Sequence, residues 1–214
     1  RKCVDLVAAR PKVGKSVFAD NVAVNVATNG IPVLVLDTEM SKEDHLNRII
    51  ANLSGVPINE VATGKFIEDD EKNQRVHEAV SQIEAMPYNY VSVAGKPFEQ
   101  IVNIIKRWII QDVKQDENGR TNDCVVVYDY LKLMSSNSIT NNIQEYQALG
   151  FQITNLHNLA VKYDFPCLSF VQLNRDGITK ESTDAVSGSD RLIWLCTSFS
   201  IFKIKSPEEL AEDG

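Results

Sequence analysis

The sequence predicts an α/β domain in which a mostly parallel, twisted sheet carries helices on both faces. Two observations support that expectation. Apolar residues recur as short continuous runs, such as Val125-Val126-Val127, and continuous runs are what parallel strands covered on both faces require. These runs alternate with segments whose apolar residues return every three or four positions, so strand and crossover helix follow one another along the chain. At 214 residues the chain is long enough to bury one full core.

The first strand is expected at Val4-Asp5-Leu6-Val7-Ala8, with a helix opening at Lys15. The second is Val33-Leu34-Val35-Leu36, followed by a helix that starts at Ser41, where Asp44 three residues on makes a capping-box analogue. The acidic stretch 68–71 reads as a solvated helix start. A strand at Tyr90-Val91-Ser92-Val93 leads past Pro97 into a helix with Ile101, Ile104, Ile105, Trp108 and Ile109 at helical spacing. Cys124-Val125-Val126-Val127-Tyr128 is the fourth strand, and residues 143–163 form a helix with Leu149, Ile153, Leu156 and Leu159 on one face. Cys167-Leu168-Ser169-Phe170-Val171 is the fifth strand and Ile201-Phe202-Lys203-Ile204 belongs to a sixth. Polar loops are expected at 115–123, 135–142 and 174–189. The last two follow strands, and ligands of such sheets bind beyond the strands' carboxyl ends. Trp108, Trp194 and most Phe residues have apolar neighbours in sequence and are expected in the core.

Composition narrows the function classes. With 22 Lys and Arg against 29 Asp and Glu, the net charge of −7 excludes a whole-surface polyelectrolyte binder. It leaves room for a local nucleic-acid site, which needs only a local excess of basic groups. No apolar run approaches the roughly 18 residues of a membrane helix. The four cysteines lie inside or beside apolar runs and the three histidines are scattered, which suggests free thiols in a reducing, cytoplasmic setting.

The strongest signal is Ala9-Arg10-Pro11-Lys12-Val13-Gly14-Lys15-Ser16, which follows the first strand and opens a helix. Gly14 lets backbone approach a phosphate, and successive N–H groups through Val17 at the helix start can cradle the anion. Lys15 would reach the β- and γ-phosphates of ATP, and the Ser16 hydroxyl would ligate Mg²⁺. Asp129 closes a buried apolar strand, where it can hold the magnesium or its water. Glu39 lies just past the second strand and could deprotonate the attacking water, with Asp37 as the rival for that role. Gln172 ends the fifth strand and offers an amide donor where the γ-phosphate would lie.

Taken in order, Ala-Arg-Pro-x-x-Gly-Lys-Ser, Glu39-Met40, Asp129-Tyr130-Leu131-x-Leu133-Met134 and Gln172-Leu173-Asn174-Arg175 resemble the DnaB-type replicative helicases. The resemblance runs from Val4 to about Lys205 and implies a single domain over 1–214, a RecA-like P-loop NTPase core. It also implies a hexameric ring that hydrolyses ATP at subunit interfaces and translocates on single-stranded DNA, with a primase or helicase loader as a further partner. Carried over by position, Lys15 and Ser16 are the phosphate and magnesium residues, and Glu39 is the catalytic base. Asp129 is the second magnesium residue, and Gln172 is the sensor that links hydrolysis to the DNA loop.

Three departures shape the expectation. The family's DNA-facing loop commonly carries an Arg-Glu pair before a Ser-Gly-Ser turn; here Ser187-Gly188-Ser189 is present, with Ala185 and Val186 before it. Backbone N–H groups of that turn, with Lys132 and Arg175, are the candidate DNA contacts. The family's arginine finger and its helical N-terminal domain have no counterpart here, so the chain reads as a fragment that should hydrolyse ATP weakly on its own. The alternatives are a RecA- or KaiC-type ATPase that forms rings or filaments, and a non-catalytic ATP-binding loader or scaffold.

Overall fold

The computed structural model describes residues 2–131, 145–172 and 194–213, so the expected loops at 135–142 and 174–189 lie outside the described residues. Its centre is a six-stranded, wholly parallel sheet in the order β3-β2-β4-β5-β1-β6. The strands are β1 (Val4–Ala9), β2 (Val33–Asp37), β3 (Tyr88–Ser92), β4 (Val125–Asp129), β5 (Cys167–Gln172) and β6 (Ser198–Phe202). Between them run α1 (Lys15–Thr28), α2 (Lys42–Ser54), α3 (Ile58–Thr63), α4 (Asp70–Ala85), α5 (Phe98–Trp108) and α6 (Glu145–Tyr163), with α7 (Pro207–Asp213) last.

Each interior strand sends alternate residues to opposite faces, and both faces are covered. On one face Ala19, Ala23 and Ala27 of α1 pack against Val33, Val35, Val127 and Phe170; the small alanine side chains let the helix lie close to the sheet. On the other, Leu34, Leu36, Val126 and Tyr128 meet Ile101 and Ile105 of α5 and Ile153 and Leu156 of α6. All five residues of β2 are buried, the environment that its unbroken apolar run anticipates. A satellite core of Ile50, Val56, Val61 and Val76 ties α2, α3 and α4 together.

Local chemistry sets the helix ends. Ser41 caps α2, its hydroxyl accepting from the Asp44 N–H at 3.1 Å, and Asp69 caps α4 by accepting from Glu71 and Lys72. The stretch 68–71 is thus a helix start, as its charge suggests. After α5 the chain widens into a π-helical turn, Ile109–Val113. The sixth strand lies three residues earlier than the apolar run Ile201–Ile204 implied; it is the sheet's edge, and backbone pairing with β1 fixes its register at Asp5↔Ser198. The core expectation fails for Trp194, which is 81% exposed, and for the exposed Phe18, Phe151 and Phe202. Trp108, Phe98, Phe165 and Phe170 are buried as expected. Cys124 and Cys167 are buried thiols, Cys3 and Cys196 half-buried ones, and all four are free.

Among the described residues no helix is long and apolar enough to cross a membrane.

Candidate nucleotide site

Because every strand runs the same way, the carboxyl ends of β1, β2, β4 and β5 open onto one edge of the sheet. Register places the pieces level with each other: Ala9 pairs with Gln172, and Asp37 pairs with Asp129. Four sequence signals spread between Ala9 and Gln172 thereby meet in one site.

The loop leaving β1 turns at once, Val13 N–H donating to the Arg10 carbonyl at 3.4 Å. Gly14 then takes φ 109°, a conformation that side chains resist, and forms the N-terminal cap of α1. That helix start has no capping side chain and no acid in its first turn, whereas α2 and α4 have both. The positive end of α1 is therefore left open to an anion. Arg10, Val13 and Ser16 are half-buried here, and Pro11, Lys12 and Val17 are exposed.

Lys15 is only 9% exposed, and its ammonium lies 5.1 Å from the centroid of the Tyr130 ring. The Ser16 hydroxyl donates to the Asp129 carboxylate, while burial pushes that carboxyl above its usual range. The second carboxylate oxygen, Oδ1, is buried with no hydrogen-bond partner. An orphaned buried carboxylate oxygen beside a hydroxyl is costly unless a cation completes it, so Ser16 and Asp129 fit a divalent metal ion.

The two candidate bases separate by geometry. Asp37 is buried, and its Oδ1 accepts from the Glu39 and Met40 N–H groups at 2.7 and 2.9 Å. It shapes the turn after β2. Glu39 is exposed on that turn, and Tyr130 donates its hydroxyl to Glu39 Oε1 at 3.1 Å. From β3, Tyr90 and Ser92 donate to the Met40 carbonyl at 3.1 and 2.9 Å, which holds the turn from its far side. Gln172 is exposed at the end of β5, level with the start of the loop. Of the candidate DNA contacts, Lys132, Arg175, Ser187, Gly188 and Ser189 lie outside the described residues.

Sequence reasoning assigned no role to Tyr130, Tyr90 or Ser92. For Tyr130 a signal existed: it directly follows the acid that ends a buried strand, where the chain must leave the sheet over the phosphate loop.

A family model for the DnaB-like helicase C terminal domain matches residues 2–187. Among curated relatives, the replicative DNA helicase DnaB of Synechocystis is 28% identical over 171 residues, covering 79% of this chain and 18% of the relative. A probable replicative DNA helicase of Trieres chinensis is 26% identical over 175 residues, 80% of this chain and 35% of the relative. The chain thus spans a minor part of the relatives it matches. Among solved structures, one ATPase domain superposes with a TM-score of 0.80 at 20% identity over 94% of this chain and 69% of that one. A DnaB-like replicative helicase, solved for its interactions with primase, gives 0.81 at 19% identity over 100% and 49%. The RadB recombinase gives 0.54 at 18% over 96% and 77%, which places the fold among RecA-like ATPases. Phosphate loop, strand-end acids and family match agree, and the chain belongs to the DnaB-like helicase C-terminal domain family.

Proposed function

We propose that this domain is the ATP-hydrolysing motor of a hexameric replicative helicase, acting on single-stranded DNA to unwind duplex. The observation that supports the reading is the joining of Lys15, Ser16, Asp129 and the exposed carboxylate Glu39 at neighbouring strand ends. A module that only bound nucleotide would need no base on the γ-phosphate side.

In this reading the triphosphate lies along the N–H groups of the α1 start, with the Lys15 ammonium against its terminal phosphates. Ser16 and Asp129 would hold Mg²⁺, which when bound neutralises charge on the phosphate oxygens. Glu39 takes one proton from the attacking water, whose oxygen bonds to the γ-phosphorus as the bond to the ADP oxygen breaks. Gln172 donates its amide to the γ-phosphate and, standing where β5 passes into residues 173–193, can report hydrolysis to the candidate DNA loop. A neighbouring subunit completes the site. Primase or a loader is the further partner this reading implies, and the replication fork in the cytoplasm its setting.

The test is ATP turnover by the intact protein with and without single-stranded DNA, beside Lys15→Ala and Gln172→Ala. Lys15→Ala should abolish turnover. DNA should stimulate the unmodified protein several-fold, and Gln172→Ala should remove that stimulation while nucleotide still binds. Turnover untouched by Lys15→Ala would end the motor reading, and steady turnover indifferent to DNA would favour a ring- or filament-forming ATPase.

A further inference from the structure

We infer that Tyr130 is the positioning residue of this site: one rigid side chain sets Glu39 and Lys15 relative to each other. The inference rests on the reading of Glu39 as the base.

Three features of the fold make Tyr130 suited to that task. Its backbone is clamped from both sides. Its own N–H points to the Thr38 hydroxyl at 3.4 Å, and the next N–H, of Leu131, donates to the Phe170 carbonyl of β5 at 2.8 Å. Thr38 is itself tied back, donating its N–H to the Asp129 carbonyl at 2.9 Å. The ring packs against the alanine-rich cluster beneath α1, so its few torsions are restricted. Its two ends then meet the two flexible groups that the chemistry needs. The hydroxyl donates to Glu39 Oε1 at 3.1 Å, and the ring face lies 5.1 Å from Lys15 Nζ.

The physical consequence is specific. Glu39 sits on an exposed turn, and a long carboxylate side chain there has many rotamers, of which few aim at a water beside the terminal phosphate. A phenol that donates to one carboxylate oxygen selects among them. The ring face attracts the ammonium by its quadrupole, which keeps Lys15 extended along the site before nucleotide arrives. Tyr130 touches neither substrate nor metal ion in this scheme; it acts through Glu39.

Tyr130→Phe keeps the ring and its cation contact and removes only the hydroxyl. In the intact protein it should lower kcat by about tenfold, the size expected when a charge-assisted hydrogen bond is lost, while the ATP Kd stays within about twofold. The decisive measurement repeats the substitution in Glu39→Asp, which retracts the carboxylate by one methylene from the phenol but retains a base. There Tyr130→Phe should change kcat no further. An unchanged kcat in Tyr130→Phe alone, an equal fall in both backgrounds, or a loss of ATP binding would each overturn the assignment. Full hydrolysis by Glu39→Gln would instead remove the base reading on which it stands, an outcome distinguishable from all three.

Discussion

At the scale of single residues the site is under electrostatic tension, and Asp129 shows it. Its carboxyl is buried, raised in pKa by that burial, and keeps one oxygen unpartnered. Such an arrangement trades stability for function. Asp129→Asn preserves the shape and still lets Ser16 donate, yet buries no charge. The variant is expected to melt a few degrees above the unmodified protein without ligand, while the stabilisation that Mg²⁺ with ATP adds should largely vanish. Melting curves with and without Mg²⁺ and ATP decide it; a lower melting point for the ligand-free variant would show that the carboxylate stabilises the fold. Asp129, Lys15 and Ser16 were legible in the sequence because each belongs to a local pattern of strand, turn and helix. The bond from Tyr130 to Glu39 was not, because it joins the ends of two strands ninety-one positions apart.

Among the elements, the junction of α2 with β3 is where the fold braces the turn that carries Glu39. His45 of α2 is buried, with Nε2 2.8 Å from the Tyr88 hydroxyl and its ring stacked 3.8 Å from that of Tyr90. Tyr90 in turn donates to the Met40 carbonyl. Burial, with the nearby Arg48, holds His45 down at about 4 against an ordinary 6.5. Its imidazole is therefore neutral at pH 7, and the 3.5 Å approach of Nδ1 to Asp20 is not an ion pair. A group depressed on folding contributes stability in full above pH 6.5, and that contribution is lost as pH falls toward 4. Asp20, raised to about 7 chiefly by burial, works in the opposite sense, losing its contribution as pH rises. The comparison must therefore be with His45→Gln in the same buffers. As pH falls from 6.5 to 4 the variant should gain stability relative to the unmodified protein, and parallel curves would contradict this. How much of this level the sequence disclosed follows from burial. The continuous runs of β2 and β4 announced themselves, as did the Ser41 cap. The helix α3 did not, since it buries only Val61, and of α4 only the acidic start at 68–71 was legible, since the helix buries little more than Val76 and Ala79. β6 was legible only in Ile201 and Phe202, because an edge strand that is mostly exposed has no continuous apolar run to mark its start.

For the molecule as a whole, the proposed helicase reading makes charge the quantity that sets how DNA would be held. The net charge is −7, and the strand ends that form the nucleotide site gather Asp37, Glu39 and Asp129. The overall charge of a single copy therefore does not draw a polyanion, and attraction has to come from a local excess of basic groups. The candidate DNA contacts, all outside the described residues, are the sequence Ser187-Gly188-Ser189, preceded by the uncharged Ala185 and Val186, and the cations Lys132 and Arg175. Contacts made chiefly by backbone N–H groups position a phosphate without releasing many counterions. On the proposed reading of a hexameric ring, affinity would come from repetition around it, each bound subunit raising the effective concentration of the next. The assembled protein should accordingly bind single-stranded DNA at least about a hundredfold more tightly than a monomeric sample. Its affinity should fall gently with salt, on the order of 0.7 logarithmic units per tenfold change for each phosphate neutralised, and one or two phosphates per engaged subunit. Fluorescence anisotropy on an oligonucleotide across a salt series measures both quantities. Equal affinity in the monomer, or a slope corresponding to many neutralised phosphates per subunit, would mean that clustered basic side chains, rather than the turn, carry the DNA.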